Sequence, residues 1–254
     1  MASRLDTLFR SLGGYVFMLL DVTKDIKNNG INLRDTSRHI IEIGIRSLPI
    51  VLITAVFTGM VLAIQTAYGL QRFGAKNYVG NLVGLALARE LGPVLTAVMV
   101  CGRVGAGIAA EISSMVVTEQ VDAIRALGGD PIRRLVTPRI IAGMISLPML
   151  AGLALLVGVG GGMVIAVNEL GITAHQYYRS YLYAVVIRDV VDGLIKSLAF
   201  GLIAVSIACY KGLSCRGGTE EVGQTTTEAV VVGSLAVFVA NFFITKLLIF
   251  LNFS

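Results

Sequence analysis

Three long stretches of the chain contain no Asp, Glu, Lys or Arg. They are Ser47 to Gln71 (25 residues), Ile140 to Asn168 (29 residues) and Ala229 to Thr245 (17 residues), the last prolonged by Leu247 to Phe253 beyond Lys246. A helix needs about 20 apolar residues to cross the hydrocarbon core of a bilayer, so each stretch predicts a membrane span. Two further apolar stretches are interrupted. Arg89-Glu90 breaks the run between Lys76 and Arg103, and only 14 uncharged residues separate Lys196 from Lys211. A full crossing there must take in Asp192 and Lys196. The pattern predicts five spans, the second and fourth carrying ionisable groups at or near membrane depth. Such groups are costly in lipid and face a protein interior or a wet cavity.

The first 30 residues follow a different period. Leu5, Leu8, Phe9, Leu12, Val16 and Leu19 share one helical face, with Arg4, Asp6 and Arg10 elsewhere on the helix. This predicts an amphipathic helix lying along the cytoplasmic membrane surface or packed on a partner protein. The chain then enters the first span from Thr36, with a kink expected at Pro49. Between spans two and three, residues 111–139 read as short helices with clear punctuation. Thr118 is placed to cap a helix beginning Glu119-Gln120, Gly128-Gly129 to stop it, and Asp130-Pro131 to start the next; Thr137-Pro138 repeats the device at the root of span three. Val121, Ile124 and Leu127 form an apolar stripe with Glu119, Asp122 and Arg125 off it. So compact a mixed-charge elbow suits docking to another protein, or else forms an ordered solvated loop.

Composition sharpens the class. The chain is 55% hydrophobic and 15% charged with a mean hydropathy of +0.79, whereas a soluble domain carries roughly 25% charged residues; soluble, disordered and disulfide-scaffold classes are set aside. The net charge of +5 reads as topological. With the N-terminus inside, residues 1–46, 104–139 and 211–228 hold 13 Lys/Arg, against Arg72, Lys76 and Arg179 in the outer loops, which favours N-in, C-out. No basic run with interleaved aromatics suggests nucleic acid. Cys101, Cys209 and Cys215 form no metal-spaced set, and His39 and His175 are isolated. No cleavable signal is visible and early acids argue against a transit peptide, which points to a bacterial cytoplasmic membrane.

The intramembrane charges are the candidate chemistry. Arg188, Asp192 and Lys196 recur at four-residue intervals and predict a plus–minus–plus ladder on one helical face; a lipid phosphate could neutralise its surplus charge. Arg89 and Glu90 lie about 100° apart on a helix and cannot pair with each other, so each needs a partner on another element. Pro93 frees a backbone carbonyl and could bend the helix. A proton-driven secondary transporter with Glu90 and Asp192 as relay is the alternative function, but no inverted repeat is found. An intramembrane enzyme lacks any nucleophile–base or metal-spaced set.

Several longer strings resemble one family. They are Ala88-Arg89-Glu90-Leu91-Gly92-Pro93-Val94-Leu95-Thr96-Ala97, Gly102-Arg103-Val104-Gly105, Ala109-Ala110-Glu111-Ile112, Thr118-Glu119-Gln120, Asp130-Pro131-Ile132-Arg133-Arg134, Pro138-Arg139, Ile195-Lys196-Ser197 and Thr225-Thr226-Thr227. By these the chain is similar, over nearly its whole length, to the MlaE (YrbE-type) permeases of Mce-associated ABC lipid transporters. The resemblance implies an all-α polytopic membrane protein forming one permease domain over residues 1–254, with residues 1–30 an interfacial helix and 36–254 a transmembrane region containing the coupling segment 111–139. It implies a homodimer in the inner membrane, a cytoplasmic ABC ATPase carrying the ATP and Mg that this chain does not bind, an Mce-domain protein ring, often a STAS-domain protein, and phospholipid or a related lipid as cargo. This chain has no G-x-x-x-x-G-K-[ST] phosphate loop, so the energy is expected from a partner. The family's functional charges map onto Arg89, Glu90 and Lys196, while Asn241 stands where members often carry an acid. The expected lipid-pathway network is then Arg89, Glu90, Arg188, Asp192, Lys196 and Asn241; the expected ATPase-coupling residues are Glu119, Asp122, Arg125, Gly128, Asp130 and Arg133.

Overall fold

The computed structural model describes the backbone of residues 2–253 and the side chains of residues 12–251. Among these residues there is no strand, and five helices are long and apolar enough to cross a membrane: Leu33–Gln71, Lys76–Val117, Ile132–Asn168, Ile187–Leu213 and Thr219–Leu251, here spans one to five. The all-α polytopic architecture read from the hydrophobic pattern is therefore the observed one.

Span four is central and touches spans two, three and five, while span one packs chiefly on span three. Small residues set that packing. Val51, Ala55, Gly59, Ala63 and Ala67 are buried at four-residue intervals along span one, facing the glycine run of span three. A Cβ on Gly59 would fall on the carbonyl oxygen of Gly158, and one on Gly161 would lie 2.6 Å from the carbonyl oxygen of Val56. Backbones this close are how helices associate in lipid, where burial of apolar side chains gives no advantage over the solvent.

Several helix junctions differ from the expected ones. The break lies within span one, at Gly44 and a 3₁₀ turn over Ile45–Ser47, so Pro49 sits in the first turn of the helix Leu48–Gln71, where its missing N–H costs nothing. Thr118 does not cap the elbow helix: its hydroxyl donates to the carbonyl of Ser114 at 2.7 Å and closes span two. Glu119 adopts the left-handed conformation (φ 59°) and reverses the chain into the elbow helix, Gln120–Ala126. Gly128 (φ 78°) ends that helix, with Gly128 N–H on the carbonyl of Arg125 and Gly129 N–H on that of Ile124, both at 2.9 Å, a Schellman closure requiring the left-handed residue. Asp130 accepts from the N–H of Ile132 at 2.9 Å and caps the next helix as expected. Thr137-Pro138 starts nothing new, because the helix is already running through Ile132–Val136.

The helix of span two continues to Val117 and that of span three begins at Ile132, leaving residues 118–131 as the elbow between the two helices. Glu111, which suggested an earlier exit, is exposed and pairs with the buried Arg139 at 2.8 Å. Three segments wind as π-turns, Leu87–Leu91, Cys101–Gly105 and Ile132–Val136, and each contains arginine. π-turns are uncommon and recur at functional positions.

The N-terminal helix α1 (Ala2–Asn29) packs on the body of the same chain. Tyr15, Met18, Leu19, Val22 and Ile26 join the core, and Tyr15 donates to or accepts from Ser206 at 2.7 Å across 191 residues. Leu12, Val16, Phe17 and Leu20 are exposed on the opposite side. The expected face Leu5–Leu19 is thus divided: Leu19 turns to the core, Leu12 and Val16 turn outward, and the side chains of Leu5, Leu8 and Phe9 lie outside the described residues. Helix α2 (Leu33–Ile43) follows, capped by Asn32.

Candidate functional site

The charges of spans two and four meet. Lys196, buried on span four, directs its ammonium at three acceptors: the Glu90 carboxylate (Oε1, 2.6 Å), the Thr245 hydroxyl of span five (2.7 Å) and the backbone carbonyl of Arg89 (2.9 Å). The last contact follows from the sequence. An α-helix returns the N–H of residue i+4 to each carbonyl, but for Arg89 that residue is Pro93, which has none. The π-turn over Leu87–Leu91, closed by Gly92 N–H on the carbonyl of Leu87, absorbs the mismatch, and the lysine supplies the missing donor.

Glu90 is equally saturated. Its Oε1 accepts from Lys196 and from the Thr245 hydroxyl (3.1 Å), and its Oε2 accepts from the Asn241 amide (2.8 Å). The amide that stands in place of an acid still joins the network, as a donor. Its own carbonyl oxygen is buried without a partner. All three donors of the lysine are used, and the carboxylate has contacts from three side chains on two helices. A buried ion pair repays its desolvation only under such satisfaction.

Arg89 points elsewhere. Its Nε and Nη2 both lie 2.7 Å from Oδ1 of Asp189 on span four. Asp189 is buried and its second oxygen accepts the N–H of Val186 at 3.1 Å, fixing the first turn of span four. The sequence reading missed Asp189; its position three residues into a helix start, facing back to that start, was the available signal. Thr245, one turn beyond Asn241, was missed too. Arg89 and Glu90 thus find partners on other helices. The ammonium of Lys196 turns inward to Glu90, while on the same helix Arg188 is exposed and Asp192 is half-buried. Gly193 permits this closeness, since a Cβ there would strike the carbonyl oxygen of Ala88.

These groups line one cavity of about 630 Å³. Its polar lining is Arg89, Glu90, Arg188, Asp189, Asp192, Lys196 and Thr245, and its apolar lining Leu82, Leu85, Ala86, Val186, Leu248 and Ile249. An elongated apolar group with a charged end fits such a division. A further ion pair, Arg139–Glu111, lies toward the elbow end, and Arg103 donates to Ser47 at 2.9 Å.

The elbow carries the other expected residues. Asp122 and Arg125 pair at 2.8 Å and both are exposed. Glu119 and Gly128 make the two reversals, and Asp130 caps. The apolar stripe is only partly inward: Val121 is buried, Ile124 packs beside it, and Leu127 stands 89% exposed. Arg133 departs from the group and reaches back to Asp25 of α1 at 3.8 Å.

Five packed candidate spans, of which two, four and five line a charged cavity, with a punctuated elbow between spans two and three, define a multi-pass membrane protein. Residues 36–247 match the family model described as Permease MlaE, and the chain belongs to that family. It is 43% identical over 244 residues to a "probable ABC transporter permease protein" of Synechocystis, covering 96% of this chain and 93% of that one. It is 35% identical to the intermembrane phospholipid transport system permease protein MlaE of Haemophilus influenzae, covering 94% and 92%. It is 37% identical to the chloroplastic protein TRIGALACTOSYLDIACYLGLYCEROL 1 of Arabidopsis thaliana, covering 85% of this chain and 62% of that one.

Proposed function

We propose that this chain is the transmembrane permease subunit of an ATP-driven ABC transporter that moves phospholipid between the inner membrane and an Mce-protein conduit. The observation that carries the reading is the cavity of about 630 Å³ in which an apolar wall stands against the saturated Lys196–Glu90 pair. Acyl chains suit the apolar wall. Because Lys196 and Glu90 have spent their hydrogen bonds on each other, on Thr245, on Asn241 and on the Arg89 carbonyl, they act as a lock between spans two, four and five. Arg89 and Arg188, both exposed to the cavity, offer cations to a headgroup phosphate. The names of the Synechocystis and Haemophilus relatives support the ABC and phospholipid parts of this reading.

The partners follow from what the chain carries and what it leaves open. ATP and Mg belong to a separate cytoplasmic ATPase, for which the elbow with its exposed Asp122, Arg125 and Leu127 is the dock. The Lys/Arg asymmetry of the sequence supports an elbow and α1 on the cytoplasmic side and a periplasmic C-terminus. A second copy is expected against span five, whose most apolar window is 6% buried, against 50% for spans two, three and four; two-fold closure is the common solution for identical chains. An Mce-domain ring and a STAS-domain protein complete the expected assembly.

The test is purification with partners, mass spectrometry of co-purified lipid, and lipid movement in proteoliposomes with and without ATP. ATP-dependent movement that Lys196→Ala abolishes at equal protein supports the reading. Movement driven by a proton gradient without ATP, or an unimpaired Lys196→Ala protein, overturns it.

A further inference from the structure

We propose that the second half of α1, from Tyr15 to Asp25, is a strut joining the root of span three, beside the coupling elbow, to span four, with Asp25 and Tyr15 as the positioning residues. The inference rests on the reading of the elbow as the ATPase dock.

Asp25 sits in the last turns of α1, where the helix dipole disfavours an acid, and it is only 6% exposed. A buried carboxylate in that place needs strong compensation. It receives it from outside the helix as well as within. Oδ2 accepts the hydroxyl of Thr137 at 2.8 Å across 112 residues; Oδ1 accepts the Asn29 amide at 2.9 Å and lies 3.8 Å from Nε of Arg133. Among the described residues, the Thr137 contact is the sole side-chain hydrogen bond between α1 and residues 118–141. Beside it opens a cleft of about 670 Å³, with Ile31, Asn32 and Asp35 on one side and Gly128, Gly129 and Asp130 on the other. Asp25 ties the two walls where the cleft otherwise separates them.

The contact falls on a joint. Arg133 lies within the π-turn Ile132–Val136 and Thr137 immediately follows it, with Pro138 next. The charge network has the same construction, a π-turn over Leu87–Leu91 followed by Gly92 and Pro93. In each case proline withholds the N–H due to an arginine carbonyl, Arg134 here and Arg89 there, so the helix can change pitch at low cost. A push on the elbow reaches this joint within a few residues of Asp130.

The middle of α1 is fixed to span four. Tyr15 hydrogen-bonds Ser206 at 2.7 Å and sets its ring edge-on to Tyr210, with centroids 5.7 Å apart; Gly14 makes room, since a Cβ there would lie 2.8 Å from the Tyr210 hydroxyl. Ser206 and Lys196 share one unbroken helix. Beside the direct packing of spans two and three on span four, α1 adds a route from the dock to the charge lock that runs elbow, Thr137, Asp25, α1, Tyr15, span four. It depends on two polar contacts that can be removed singly with almost no change in volume.

The experiment measures ATP hydrolysed and lipid moved in one reconstituted permease–ATPase preparation, for wild type, Thr137→Val, Thr137→Ser and Tyr15→Phe. Thr137→Val and Tyr15→Phe are expected to keep ATP turnover while lipid moved per ATP falls roughly five-fold or more, the usual scale of inter-site coupling; Thr137→Ser, which retains the hydroxyl, restores the ratio. An unchanged ratio in both variants overturns the strut, as does equal loss with serine. Amide hydrogen exchange on the permease alone separates this from the functional reading. If the wild-type complex moves no lipid with ATP, that reading fails, and the strut is judged by exchange: faster exchange in both α1 and residues 118–131 of Thr137→Val supports it, and unchanged exchange overturns it.

Discussion

Lys196 donates to the carbonyl of Arg89, the acceptor that Pro93 leaves without its helical N–H, while the same ammonium pairs with Glu90. A proline in one span is thereby answered by a lysine in another, and the ion pair is anchored by backbone as well as by charge. Removal of the lysine strands Glu90, whose side chain is 38% exposed to the cavity, at a cost below the ~3–5 kcal/mol of a fully buried pair. Lys196→Ala is expected to lower the melting temperature of the purified permease. The double change Glu90→Gln with Lys196→Met leaves no uncompensated charge and should recover most of that loss without restoring transport. Equal melting of the single and double variants would contradict the lock.

Pro93→Ala separates geometry from stability. Alanine is favoured over proline within a helix by about 3 kcal/mol, so the variant should melt no lower than wild type. The restored N–H competes with Lys196 for the Arg89 carbonyl and favours conversion of the π-turn to α-helix, which removes one residue of offset and turns Arg89 and Glu90 by about 100°. Reduced lipid movement in a protein of undiminished stability is the expected outcome. Normal transport would mean that the π-turn does not position the pair.

The spans were legible because crossing a bilayer demands a length of apolar sequence that few other structures require. The second and fourth were legible as compromised, and the need of Arg89 and Glu90 for partners elsewhere followed from adjacent residues diverging on a helix. Which partners they take was not legible. The i, i+4, i+8 spacing favoured Arg188, Asp192 and Lys196 as a local ladder, but the lysine turns to Glu90 because Pro93 and Gly193 bring an open carbonyl and a close backbone to that side. The packed face of α1 escaped for a related reason. It runs through Tyr15, Met18, Val22 and Asp25, and a search for the most apolar stripe passes over a face held by a hydroxyl and a carboxylate. The elbow's turns were legible at Gly128 and Asp130, where glycine and a cap have strong local signatures. The reversal at Glu119 was not, because a non-glycine residue with positive φ carries no such mark.

Gly193→Ala tests the closeness of spans two and four directly. The added methyl meets the Ala88 carbonyl oxygen, a backbone atom that cannot swing aside, and overpacking of this kind typically costs about 1–3 kcal/mol. Gly102→Ala is the control: nothing lies within 4 Å of a Cβ there, and the helix gains roughly 0.5–1 kcal/mol from the change. Thermal melting should fall for the first and hold or rise for the second, and Lys196 should lose its contact with the Arg89 carbonyl only in the first.

The elbow makes the opposite kind of claim, for residues that matter to a partner and little to the fold. Asp122 and Arg125 pair at 2.8 Å with both side chains more than 60% exposed, and exposed pairs contribute about 0.2–1 kcal/mol. Asp122→Lys or Arg125→Glu should leave melting of the isolated permease nearly unchanged and abolish co-purification of the ATPase. Exchange of the two, Asp122→Arg with Arg125→Asp, keeps the intrahelical pair and net charge but presents the charges in reversed order. If the dock reads charge position, that variant also fails to retain the ATPase; if the pair serves only the elbow helix, it binds normally. Leu127→Ala removes the exposed apolar tip without touching either charge, and weakened recovery of the ATPase there would show that the dock has an apolar contact beside its ionic one. Unaltered recovery across all of these variants would place the ATPase contact somewhere other than this elbow.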